Sequence, residues 1–94
     1  GTARRQLAAA KYGTDKALFG YGNTAASGDV FVSLTNLVSN SGVVAADVTG
    51  VGTARQQPSA AGYGTDKAIF GYGYSGSKVS MSNLVSNLGV VELL

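Results

Sequence analysis

The chain has 94 residues, enough for one small domain, and at 45% apolar it is too hydrophobic to be disordered despite 14 glycines. With no cysteine and no histidine, disulfides, thiolate nucleophiles, most zinc sites and histidine bases are excluded. Seven basic and 5 acidic residues give a net charge of only +2, with no basic run beyond Arg4-Arg5 and no long apolar stretch, so neither nucleic acid nor membrane is an expected partner.

In chain order, the first expected strand runs from about Leu7 to Tyr12. Gly13-Thr14-Asp15 has turn chemistry, because glycine permits positive φ and aspartate bonds its own backbone. A second strand covers Lys16 to Tyr21 and ends at Gly20-Tyr21-Gly22. Asn23 to Asp29 reads as a loop. Val30 to Val38, rich in β-branched residues, is the third strand. Asn40-Ser41-Gly42 is a hairpin turn, Val43 to Val48 the fourth strand, and Thr49 to Gly52 a link. Helix is the competing reading for Leu7 to Lys11 and Val43 to Asp47, but the flanking glycines leave each too short for a stable helix.

The pattern then repeats. Tyr12 to Gly22 recurs almost letter for letter as Tyr63 to Gly73, an offset of 51 that holds from Gly1 and Gly52 onward. After the loop the offset falls to 47, and Asn36 to Asn40 recurs as Asn83 to Asn87. The shortening lies in the loop, where a length change is tolerated. The second copy predicts strands at about Ser59–Tyr63, Lys67–Tyr72, Lys78–Val85 and Gly89–Leu93. The expectation is therefore two whole four-stranded antiparallel units, residues 1–51 with the linker and residues 52–94.

Four strands in about 50 residues, repeated, resemble the blades of a β-propeller and the kelch class in particular. The resemblance rests on Arg4, Leu7–Ala10 and Ala17–Gly20, and again on Arg55, Ala60–Ala61 and Ala68–Gly71. The chain departs from that class where Tyr21 and Tyr72 split the glycine pair, and it lacks the Tyr and Trp of the later strands. Its phrasing is also similar to repetitive proteins of marine phages and environmental sequences, which implies a viral or bacterial source. The chromosome-condensation-regulator repeat has a similar period, but its Trp-Gly and Gly-Gln-Leu-Gly elements are missing.

The propeller resemblance implies 4–8 blades in a closed ring, and two blades leave two faces bare. Head-to-tail association of identical chains would cover them. A trimer, giving six blades, is preferred over a dimer or a tetramer. The expected function is that of a structural or interaction module whose partner is itself, without cofactor, metal or catalysis.

Candidate functional residues are few. Tyr21, Asn23, Tyr72 and Tyr74 lie at the loop after the second strand, where aromatic rings beside polar groups could stack on a sugar. They define the alternative, a lectin-like propeller whose partner is a glycan. Asp15-Lys16 and Asp66-Lys67 read as solvated turns, with a ring of carboxylates as their functional alternative. Arg4 and Arg55 read as packing residues whose stems lie between units and whose heads bond carbonyls or Asp47. The glycines at 20, 22, 71 and 73 lack the lysine and helix of a phosphate loop.

Overall fold

The computed structural model describes residues 1–92. It is all-β, with two antiparallel three-stranded sheets and no helix among the described residues. The first sheet holds β1 (Ala8–Tyr12), β2 (Lys16–Asn23) and β3 (Phe31–Val38) in that order. The second holds β4 (Ser59–Tyr63), β5 (Lys67–Gly71) and β6 (Ser82–Val85). The centre of each sheet is the strand Lys16–Asn23 or Lys67–Gly71, mostly apolar after its first lysine, which pairs on both sides. The registers repeat too: Ala8 faces Gly20 as Ser59 faces Gly71.

The fourth strands do not form among the described residues. Val43 to Val48 lies beside β3, but its backbone pairs with β3 only through the isolated bridges Val38↔Val44 and Thr35↔Val48. Three steps along β3 match four along the other segment, so one extra residue breaks the ladder, as in a bulge. The side chain of Asp47, within that stretch, is turned to Asn36 and Thr2. In the second unit only Val85↔Val91 bridges at this edge, and Leu93 and Leu94 lie outside the described residues. The expected third strand from Lys78 is also shorter: it begins at Ser82, and Lys78 makes a lone bridge to Tyr74.

The split glycine pair has a structural reason. The β2–β3 register shifts between Gly20 and Gly22, and Tyr21 is the bulged residue at φ 64°. Tyr72 repeats this conformation at φ 63°. A non-glycine residue is uncommon there. Two copies of the same departure identify it as built into the unit, and flanking glycines let the neighbouring backbone follow.

The hydrophobic core is not inside either sheet but between them. Tyr12, Leu18 and Tyr21 of the first unit meet Ala68, Phe70, Val85 and Val91 of the second. Each unit thus contributes a different face. Alternation along a strand sends Leu18 and Gly20 one way and Ala17 and Phe19 the other. The second unit uses the face that carries Phe70, the equivalent of Phe19. Phe70 is fully buried, whereas Phe19 is 38% exposed.

Truncating Phe70 should therefore cost about 3–5 kcal/mol, the usual range for a buried phenylalanine. Urea unfolding of Phe70→Ala should show a large fall in midpoint, and an unchanged midpoint would refute the placement of the core.

Candidate functional site

The most organised constellation is the junction of the two units, centred on Tyr21. Its ring is fully buried. Phe70 meets it edge to face at 4.9 Å between centroids, and the Arg55 guanidinium carbon lies over the ring, 4.2 Å from its centroid. Both contacts use the ring's charge distribution, with a positive edge or a cation against the negative face. The Tyr21 hydroxyl donates to the Val51 carbonyl at 3.1 Å. Burial pushes the Tyr21 hydroxyl pKa up, and Arg55 pulls the other way.

Gly20 makes this packing feasible. A Cβ built there would sit 2.7 Å from the tip of Phe70 and 3.2 Å from the Thr35 methyl. Only a residue without Cβ leaves room for the phenyl ring.

Arg55 is fully buried and held by its own unit. Its Nε donates to Tyr72 O at 2.8 Å, and Nη1 donates to Thr53 O at 3.1 Å and to Asn83 Oδ1 at 3.0 Å. Arg4 adopts the same pose, with Nε donating to Tyr21 O at 2.7 Å and Nη1 to Thr2 O at 3.0 Å. Arg4 does not bond Asp47; that carboxylate accepts from Asn36 and from Thr2 instead. These hydrogen bonds, Thr2 first, lower the Asp47 pKa to about 2. Four backbone bonds also cross the junction: Gly13 N to Asp66 O, Gly22 N to Arg55 O, Arg55 N to Val32 O and Gln57 N to Gln6 O.

The four residues singled out for a glycan do not form one site. Tyr21 is enclosed as described, so neither face of its ring is open to a sugar. Asn23 is buried and organises its own loop: Oδ1 accepts from Ala25 N and Val30 N, while Nδ2 donates to Gln56 Oε1 at 2.9 Å. Tyr74 is half-buried, edge to face with Phe31 at 5.9 Å. Tyr72 alone is open, at 64% exposed. It borders a groove of about 310 Å³ lined by Ala60, Ile69, Gly71 and Ser82, among others.

Asp15 and Asp66 each pair with the adjacent lysine, at 3.0 and 3.1 Å, on exposed turns. Those lysine contacts are the first cause of both carboxyl pKa values falling. No group of three or more acidic residues that could hold a metal occurs among the described residues. Sequence reasoning had weighed Gly20 and Gly71 only against a phosphate loop and as part of the blade pattern, and had not singled out Phe70 as a core residue. The signal was present in the alignment of the copies, where the Phe-Gly-Tyr triplet recurs, but which copy is buried depends on the neighbouring unit.

Comparison of the chain with protein-family models, curated proteins and solved structures gives no match.

The Asp47 cluster makes a pH prediction. A carboxyl whose folded pKa is depressed from 3.8 to about 2 contributes stability above the unfolded value, and loses it as pH falls through the folded one. Between pH 4 and about 2 the melting temperature of wild type should therefore fall more than that of Asp47→Asn. Parallel curves would contradict the cluster.

Proposed function

We propose that the chain is a structural and interaction module that self-assembles head to tail, two units per chain, into a closed propeller. One observation carries the reading. The junction inside the chain joins two different faces, and each face is presented again, uncovered, at the opposite end. Tyr21 is fully buried while its counterpart Tyr72 is 64% exposed; Phe70 is fully buried while Phe19 is 38% exposed. Val44 and Tyr63, the counterparts of buried Val91 and Tyr12, are exposed in the same way.

A junction of unlike faces is a heterologous contact, and it closes into a ring when its rotation divides a full circle. Even unit numbers follow from two units per chain, and closed propellers have 4–8. Three chains give six units, the size the kelch resemblance suggests. The absence of cysteine and histidine from the sequence supports a binding rather than a catalytic role. The lectin-like reading has weaker support, since only one of its four residues offers an open aromatic face.

Light scattering coupled to size exclusion should give three times the 9.4 kDa chain mass. A mass of two or four chains would overturn the six-unit ring and keep head-to-tail assembly. A stably folded 9.4 kDa monomer at tens of micromolar would overturn the function.

A further inference from the structure

We infer that the groove beside Tyr72 is a docking seat for a second copy of this chain, and that its plug is the Phe19 ring with the Arg4 guanidinium. The inference rests on the self-assembly reading and specifies how the copies lock.

The template is the seat already filled within the chain. In the first unit Leu18, Gly20, Tyr21 and Thr35 receive Phe70 and Arg55. The same positions in the second unit are Ile69, Gly71, Tyr72 and Ser82, and all four line the groove of about 310 Å³. A Cβ at Gly20 would meet Phe70 at 2.7 Å; a Cβ at Gly71 would meet nothing within 4 Å. Gly71 keeps the form of a seat that the chain itself leaves empty.

The plug is equally prepared. Arg4 is fixed by Tyr21 O and Thr2 O just as Arg55 is by Tyr72 O and Thr53 O. Both arginines leave Nη2 buried without a hydrogen-bond partner. For Arg55 the neighbouring π surface is Tyr21; for Arg4 no aromatic ring of its own chain is stacked on it among the described residues. A guanidinium already held at Nε and Nη1 loses little freedom when a ring arrives. The backbone is ready as well. The Gln6, Gly64 and Gly73 amides, counterparts of the crossing donors Gln57, Gly13 and Gly22, have no partner among the described residues. In the docked pair Gly64 N would donate to Asp15 O of the next copy, Gly73 N to Arg4 O, and Gln6 N to Gln57 O.

The test exploits the two glycines. Gly71 lies outside the positive-φ residues, and a Cβ there meets neither strain nor any atom within 4 Å in its own chain. Gly71→Leu should keep the circular-dichroism spectrum of wild type and elute as a 9.4 kDa chain. Gly71→Ala, adding a single carbon, should raise the concentration needed for half-assembly by at least about tenfold. Phe19→Ala should do the same from the opposite end. If wild type assembles and Gly71→Leu and Phe19→Ala retain its full mass, this seat is wrong while self-assembly stands. If wild type is monomeric, both readings fail. Should Gly71→Leu not fold, the Gly71→Ala shift decides, and an unchanged half-assembly concentration overturns the proposal.

Discussion

The whole arrangement depends on one packing constraint: a three-stranded sheet of this composition cannot bury its own apolar side chains. Phe70 has no cover in its own unit and finds it over Gly20, against the Tyr21 ring. The Arg55 guanidinium completes the enclosure. Burying a phenylalanine and a tyrosine removes a large apolar area from water, about 150–250 Å² for each ring. Burying a guanidinium opposes this, and is tolerated because two of its nitrogens keep carbonyl and amide acceptors. The core is therefore a junction, and the counterparts of its buried rings, Tyr72 and Phe19, are exposed.

That constraint explains details that look unrelated. The Gly-Tyr-Gly spelling is needed because Tyr21 must leave the strand's pleat at a bulge to cross to the next unit. Gly20 must lack a side chain because the phenyl ring occupies that space. Gly89 is buried for the same kind of reason, since a Cβ there would lie 2.9 Å from the Tyr12 ring. Its counterpart Gly42 has open space. Glycines that look like loop residues in the sequence are shape complements at the junction.

Much of this was legible in the residues. The 51-residue offset located the two sheets, and turn chemistry placed the β1–β2 and β4–β5 hairpins within two residues of their observed bounds. The fourth strands were not legible, because β-branched composition at Val43 to Val48 signals extended backbone but not the extra residue that interrupts pairing. Burial was not legible either. Phe19 and Phe70 share the same local sequence, yet one is half-exposed and the other enclosed. No window around either residue carries that difference, because it is set by which neighbour lies alongside. The same limit applied to Tyr21 and Tyr72, grouped by sequence as equivalent loop aromatics and separated by the fold into a core ring and a surface ring.

The central claim, that the outward faces are two halves of the same junction, can be read at individual amides. Gly13 N and Gly22 N bond across the junction inside the chain, whereas Gly64 N and Gly73 N lack partners among the described residues. Hydrogen exchange on the wild-type protein at assembly concentrations is the most direct measurement. Protection of Gly64 and Gly73 comparable to that of Gly13 and Gly22 is the predicted result. Rapid exchange at Gly64 and Gly73 beside protected Gly13 and Gly22 would contradict the account.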